Sequence, residues 1–139
     1  MKKIVGSNSR FRELKEIIKN SYSPYSRFAT AAIVHTDRGD FKGVNVENVS
    51  FGTTICAERN AIFNAVTNKA KKFYSLDLLS NSPSKDLIPC GICLQVMSEF
   101  FTPNVVITVY NVKGETKKYK FRDLMGITIK KKIIYGFSK

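Results

Sequence analysis

The three cysteines constrain this chain more than any other feature of its sequence. Cys56 opens the stretch Cys-Ala-Glu-Arg, and Cys90 and Cys93 belong to Pro-Cys-Gly-Ile-Cys. A C-x-x-C pair can hold two corners of a tetrahedral zinc site, and Cys56 can supply a third corner if the fold brings it alongside. The fourth corner then stays open to water, as in a catalytic zinc site. The pattern therefore predicts a fold in which Cys56 lies beside the C-x-x-C pair.

Glu58 follows Cys56 by two residues and is the candidate proton carrier of such a site. A catalytic zinc lowers the pKa of bound water to about 7. A neighbouring carboxylate can accept the proton that this water loses and deliver it elsewhere. The sequence thus pairs a predicted metal site with a predicted general acid and base.

Two plainer interpretations of the cysteines compete with zinc. Buried, unreactive thiols are common in small intracellular proteins, and an isolated C-x-x-C can be a redox pair. The combination of C-x-E with a later P-C-x-x-C is much more specific than either part and favours zinc. Three cysteines cannot all pair within one chain, and zinc requires reduced thiolates.

The length and composition predict one globular domain that spans residues 1–139. A chain of 139 residues with 43% hydrophobic residues can bury a substantial core. No stretch has the roughly 18 apolar residues of a membrane span, and the N-terminus lacks the long apolar run of a secretory signal. We therefore expect a cytoplasmic protein with no membrane partner.

The net charge of +12 raises the question of nucleic-acid binding. Between Lys113 and Lys139 there are nine basic and two acidic residues, so over half of the excess lies outside the cysteine region. No stretch resembles an RNA-binding module. We expect no nucleic-acid partner.

Hydrophobic periodicity predicts alternating helices and strands. Apolar residues at helical spacing predict an amphipathic first helix over 9–20. The later predicted elements are strand 29–36, strand 41–46, helix 56–68, strand 74–79, a helix starting at Pro89, strand 105–110 and strand 117–121. Both cysteine motifs are predicted at helix N-termini, which favour thiolates. This order indicates a layered α/β domain with a central sheet of about five strands.

Four motifs together resemble the small homotetrameric cytidine deaminases, over residues 9–124. The motifs are Pro-Tyr-Ser-Arg-Phe at 24–28, Asn-Val-Glu-Asn at 45–48, Cys-Ala-Glu-Arg at 56–59 and Pro-Cys-Gly-Ile-Cys at 89–93. The resemblance implies a three-layer α/β/α fold with a mixed sheet. It also implies deamination of cytidine and deoxycytidine in pyrimidine salvage, by a homotetramer with shared active sites.

The resemblance also implies roles for the residues around the metal. Cys56, Cys90 and Cys93 match the zinc ligands, and Glu58 matches the proton shuttle. In this mechanism Glu58 takes a proton from water, protonates N3 of cytosine and later protonates the departing amine, which gives uracil and ammonia.

Four further positions match the substrate-binding residues of the family. Phe28 matches the aromatic residue against the pyrimidine ring, and the backbone N–H of Ala57 matches the group that holds the pyrimidine carbonyl. Asn45 and Glu47 match the groups that bind the ribose hydroxyls, and an Asn with a Glu acceptor suits a sugar diol.

The chain departs from the family pattern at three places. Leu94 stands where many members have Arg, so Arg59 is expected to compensate most of the negative charge near zinc. Phe51 stands where Tyr is common, which removes a hydroxyl. The family's C-terminal Leu-Leu-Pro and the following Phe are not evident at 124–127.

Other functions remain open on the sequence alone. A related aminohydrolase for another cytosine nucleoside, such as blasticidin S, shares the zinc signature, although Asn45 and Glu47 favour an ordinary nucleoside. A catalytically silent zinc-binding or RNA-binding protein would not need Glu58. His35, the sole histidine, is predicted to be structural, which argues against a histidine-based triad.

Overall fold

The computed structural model describes residues 5–125, with side chains described from Ser9 onward. The elements in chain order are α1 (Val5–Ile17), a one-turn 3-10 helix (Ile18–Asn20), β1 (Thr30–Thr36), β2 (Gly39–Val44), a second 3-10 turn (Phe51–Thr53), α2 (Ala57–Thr67), β3 (Phe73–Ser80), α3 (Gly91–Phe100), β4 (Val106–Tyr110), β5 (Thr116–Lys120) and α4 (Phe121–Leu124). Within these residues, no helix is long and apolar enough to cross a membrane.

The strands form one mixed sheet in the order β2-β1-β3-β4-β5. The β3–β4 pair is parallel and the other three pairs are antiparallel. A parallel pair needs a crossover connection, and α3 lies within the one between β3 and β4. The predicted mixed sheet of about five strands is confirmed.

Helices cover both faces of this sheet. Because side chains alternate along a strand, Ala31 and Ile33 of β1 face one side, where they pack with Leu14 of α1. Ala32 and Val34 face the other side and pack in the larger core with α2 and α3. The resulting arrangement of helix, sheet and helix layers confirms the predicted three-layer α/β/α fold.

Several predicted boundaries differ from the structure for local reasons. Strand β2 ends at Val44, and Val46 instead forms isolated bridges to Tyr22 and Ile55. Helix α3 begins at Gly91 rather than Pro89, because Cys90 is its N-cap. The predicted strand 117–121 ends one residue early, where the short helix α4 begins. Residues 126 and 127 of the divergent C-terminus, and its lysines beyond them, lie outside the described residues.

Strand β2 and helix α2 approach each other so closely that Gly43 has no room for a side chain. A Cβ atom on Gly43 would lie 2.3 Å from the backbone N of Ala61 and 2.5 Å from the backbone O of Ala57. Both obstructing atoms belong to helix backbone, which cannot rotate away as a side chain can. Glycine at this position therefore sets the distance between the strand and the helix.

We predict that Gly43→Ala lowers the free energy of unfolding by about 1–3 kcal/mol, since the added methyl forces α2 away from β2. Urea denaturation at fixed protein and zinc concentration measures this loss. Gly52→Ala is the matched control, because no atom lies within 4 Å of a Cβ built at Gly52. Equal losses in the two variants would show that the close contact has no energetic importance.

Candidate functional site

The fold brings the three cysteines together at the starts of α2 and α3. Cys56 is the N-cap of α2 and Cys90 is the N-cap of α3, which confirms the predicted placement at helix N-termini. The Sγ atoms of Cys56 and Cys90 are 3.6 Å apart, and those of Cys90 and Cys93 are 3.3 Å apart. All three sulfurs lie within 4.8 Å of one another.

This cluster has the geometry and chemistry of a zinc site. Tetrahedral zinc with Zn–S bonds of about 2.3 Å places its ligand sulfurs about 3.8 Å apart, close to the separations found here. Three sulfur donors form a soft site, which suits zinc among the common divalent metals. Cys56, Cys90 and Cys93 therefore fit the metal, and would leave one position of a tetrahedron open.

The electrostatics of the thiols also favour a bound cation. The hydrogen bond from Cys93, assisted by Arg59, lowers the pKa of Cys56 to about 5. The same contact with Cys56, together with burial, raises the pKa of Cys93 well above its ordinary value. One thiolate therefore forms readily and a second is opposed by the first. A divalent cation among the sulfurs removes this opposition.

Arg59 is the basic side chain that the described part of the chain places against the cysteines. Its Nη2 lies 3.6 Å from the Sγ of Cys56 and donates to the backbone O of Thr54 at 3.3 Å. Its buried Nε finds no hydrogen-bond partner among the described residues. Leu94, which stands where many family members have Arg, packs against the core instead. These contacts support Arg59 as the compensating charge.

Glu58 lies in the first turn of α2, almost completely buried beside the cysteines. The residue is 5% exposed, and its Oε2 is 3.9 Å from the Sγ of Cys93. Burial, together with the charge of Cys56, raises the pKa of Glu58 to about 7. A carboxyl group with this pKa can both accept and release a proton near neutral pH.

A cleft of about 260 Å³ connects these residues to the predicted substrate-binding groups. Its lining comprises Ser26, Phe28, Thr30, Asn45, Glu47, Thr54, Cys56, Glu58, Leu87, Ile88 and Cys90. A second cleft of about 380 Å³ adjoins it and shares Ser26, Glu47 and Thr54, with Tyr25 and Phe51 as its aromatic walls. The structure thus brings Cys56, Cys90 and Glu58 to one cleft with Phe28, Asn45 and Glu47. Cys93 and Ala57 are fully buried and do not line it.

Asn45 is buried and holds the loop that carries Phe28. Its Oδ1 accepts hydrogen bonds from the backbone N of Thr30 at 2.9 Å and from Ser21 Oγ at 2.5 Å. Its Nδ2 donates to the backbone O of Phe28 at 2.7 Å. A side-chain amide has two N–H donors, so one of them is left for a ligand hydroxyl.

Glu47 also holds this loop and, like Asn45, keeps one hydrogen-bonding site for a ligand. Its Oε1 accepts from the backbone N–H groups of Tyr25 and Ser26, each at 3.1 Å, and its Oε2 accepts from Ser26 Oγ. These bonds lower the pKa of Glu47, the largest effect coming from the Ser26 hydroxyl. Since a carboxylate has about four acceptor sites, one more hydrogen bond can be made to a substrate.

Asn81, which lies outside the four motifs, also holds this loop, and no sequence pattern predicted it. Arg27 has a φ of 58°, in the left-handed region that side chains seldom adopt. The side chain of Asn81 supports this turn by donating to the backbone O of Arg27 at 2.9 Å. No sequence signal links two residues so far apart, although Asn is a common partner for irregular backbone.

His35 is separate from this arrangement. Its Nδ1 lies 2.5 Å from Asp40 Oδ1 on the neighbouring strand, and its ring packs against Tyr74. It does not line the cleft that contains Glu58. The prediction that His35 is structural agrees with these contacts.

Comparisons with known proteins point to one family. The family model for the cytidine and deoxycytidylate deaminase zinc-binding region matches residues 7–109. The cytidine deaminase of Mycoplasma genitalium is 32% identical over 114 residues, which cover 82% of this chain and 88% of the relative. That of Mycoplasma pneumoniae is 38% identical over 118 residues, covering 81% and 86%.

Solved structures give the same result. A crystal structure of cytidine deaminase from Burkholderia pseudomallei superposes with a TM-score of 0.80 at 30% identity, covering 88% of this chain and 98% of that chain. The cytidine deaminase of Mycobacterium leprae gives a TM-score of 0.70 at 26% identity, with the same coverage.

We predict that replacing any one of Cys56, Cys90 and Cys93 by Ala weakens zinc binding by at least about 100-fold. Loss of a hydrogen-bond partner behind a metal ligand already costs 10–100-fold, and loss of the ligand itself costs more. Metal analysis after dialysis against a chelator measures the retained zinc. Gly91→Ala is the control, because it lies between two of the ligands and a Cβ there meets no atom within 4 Å. Full zinc occupancy in all three cysteine variants would refute the ligand assignment.

Proposed function

The chain belongs to the family defined by the cytidine and deoxycytidylate deaminase zinc-binding region, and on that basis we propose that it deaminates cytidine and deoxycytidine. The products are uridine or deoxyuridine and ammonia, and the role is pyrimidine salvage. One observation carries the proposal: buried Glu58 lies 3.9 Å from Cys93 in a cleft that also contains Asn45 and Glu47.

The residues at the closed end of the cleft divide the chemistry between them. Cys56, Cys90 and Cys93 would hold zinc, which when bound makes water a nucleophile at neutral pH. Glu58 accepts a proton as water adds to C4 of cytosine and delivers it to N3. It then accepts the proton of the new C4 hydroxyl and delivers it to the amine nitrogen. The C4–N4 bond breaks, ammonia leaves, and the oxygen from water remains on C4.

The residues at the open end bind and orient the nucleoside. Phe28, 37% exposed at the cleft, is available to pack against the pyrimidine ring. Ala57 is the first residue of α2, and N–H groups in a first helical turn have no partner within the helix, so its N–H suits the pyrimidine carbonyl. The remaining donor of Asn45 and the remaining acceptor site of Glu47 suit two sugar hydroxyls.

We also propose that the protein is a single domain, forms a homotetramer with shared active sites, and works in the cytoplasm. Phe51 is 73% exposed and Val49 is 77% exposed on the loop beside the second cleft, so large apolar surfaces lie close to the substrate site. Apolar patches of this kind are typical of protein interfaces. A reducing compartment suits three free thiols. Sedimentation analysis of the purified protein tests the assembly.

We predict that Glu58→Gln keeps the fold and one zinc per chain but lowers turnover of cytidine by about 10²–10⁴-fold. The amide has nearly the same shape as the carboxylate but cannot accept a proton from water. Loss of ultraviolet absorbance with cytidine measures turnover, and Glu16→Gln on the exposed side of α1 is the control. A zinc-loaded Glu58→Gln variant with near-normal turnover would show that another group carries the proton.

We predict that free nucleosides are substrates and that cytosine in a nucleic acid is not. A phosphate at the 3′ position would bring negative charge to Glu47 and remove the hydroxyl that donates to it. Glu47→Gln should weaken productive binding of cytidine, since a hydrogen bond to a charged acceptor is lost. The assay compares cytidine, deoxycytidine, cytidine 3′-phosphate, blasticidin S and a cytosine oligonucleotide at several salt concentrations.

The outcomes of this assay distinguish the possible functions. Preference for blasticidin S would identify an enzyme that deaminates cytosine in the same way but acts on a different nucleoside. Efficient deamination of the oligonucleotide that falls steeply with salt would instead indicate nucleic-acid binding through the basic surface.

A further inference from the structure

The contact between β2 and α2 joins the two ends of the proposed active site. Helix α2 begins directly after Cys56 and carries Glu58 in its first turn. Strand β2 ends at Val44, directly before Asn45. Any change in the distance between this strand and this helix therefore changes the distance between the catalytic carboxylate and the sugar-binding groups.

Two asparagines of α2 bind carbonyl groups of β2 across this contact. Asn60 Nδ2 donates to the backbone O of Val44 at 2.7 Å, and Asn64 Nδ2 donates to the backbone O of Lys42 at 3.4 Å. Because β2 is an edge strand and carbonyl directions alternate along a strand, these two carbonyls point the same way, toward the helix. The two asparagines are one helical turn apart and make the same kind of bond.

Unlike Asn64, Asn60 is hydrogen-bonded to residues at both ends of the proposed active site. Its backbone N donates to the backbone O of Cys56 at 3.2 Å, while its side chain holds Val44. Asn60 therefore makes a hydrogen bond both to a predicted metal ligand and to the residue that precedes Asn45. It is partly buried, and its side-chain bond is 0.7 Å shorter than that of the exposed Asn64.

We infer that Asn60 is a positioning residue that fixes the spacing between the metal-binding end and the sugar-binding end of the cleft. The inference rests on the proposed function. The absence of a side chain at Gly43 lets the two backbones meet, and the amide of Asn60 fixes the position of the strand end along the helix. Without this bond the end of β2 can shift relative to Glu58, so a sugar held by Asn45 no longer aligns the base for reaction.

The test compares two substrates in matched variants. Cytidine uses both ends of the site, whereas 2′,3′-dideoxycytidine lacks the hydroxyls that the sugar-binding end recognises. We expect Asn60→Ala to lower kcat/KM for cytidine by about 10-fold, because misplacement of a substrate by a fraction of an ångström is enough for such a loss. The value for dideoxycytidine should change by less than about twofold.

Asn60→Asp is the second variant, because it keeps the shape of the side chain but cannot donate to a carbonyl. Asn64→Ala is the control and should leave both substrates within about twofold of the native enzyme, since its bond lies one turn farther from the site. Zinc content, thermal midpoint and the Kd for uridine are measured on every variant. Zinc content should stay the same in every variant, the thermal midpoint should fall only slightly, and the uridine Kd should rise only in the Asn60 variants.

Equal losses for cytidine and dideoxycytidine would show that Asn60 only supports the fold, and unchanged values for both would show that its bond is dispensable. Equal effects of Asn60→Ala and Asn64→Ala would also contradict a special role for Asn60. If the zinc-loaded native enzyme did not act on cytidine at all, the proposed function itself would be wrong, and the role of Asn60 with it.

Discussion

The crowding of three cysteine sulfurs is the constraint on which the rest of the site depends. All three Sγ atoms lie within 4.8 Å of one another, so their negative charges oppose one another unless a cation lies among them. Two features of the fold compensate part of this negative charge. It places Cys56 and Cys90 at helix N-termini, whose N–H groups favour negative charge, and it places Arg59 against Cys56. A divalent metal completes the compensation.

The two ends of the cleft differ in how they are built, and the difference follows from their tasks. Glu58 and Cys93 are buried in the helix layer, because a proton carrier with a raised pKa must be kept from water. Asn45 and Glu47 lie where strand β2 gives way to loops, since a substrate must enter and leave there. Asn45 is itself buried, and the hydrogen bonds of Asn45 and Glu47 to the loop that carries Phe28 hold the open end in place.

The elements predicted from hydrophobic periodicity agree with the structure to within a few residues in most cases. Each exception has a specific cause, either a tertiary contact or a local feature of the chain. Val46 continues the alternation of β2 but pairs separately with Tyr22 and Ile55. Pro89 is a typical first helical residue, yet Cys90 caps the helix and displaces its start to Gly91. Helix α4 is too short for a periodic signal.

The sequence by itself determined which chemistry the chain can carry, because the spacing within C-x-E and P-C-x-x-C is local and each motif constrains its own helix start. It also indicated Asn45, Glu47 and Phe28 through their motif resemblance. Only the tertiary structure decided how these groups meet. Asn81 supports the turn at Arg27, where φ is positive, and Asn60 donates a hydrogen bond to Val44. Both contacts join residues that are distant in sequence. Such contacts arise from packing of β2, α2 and the loops, so no local pattern can report them.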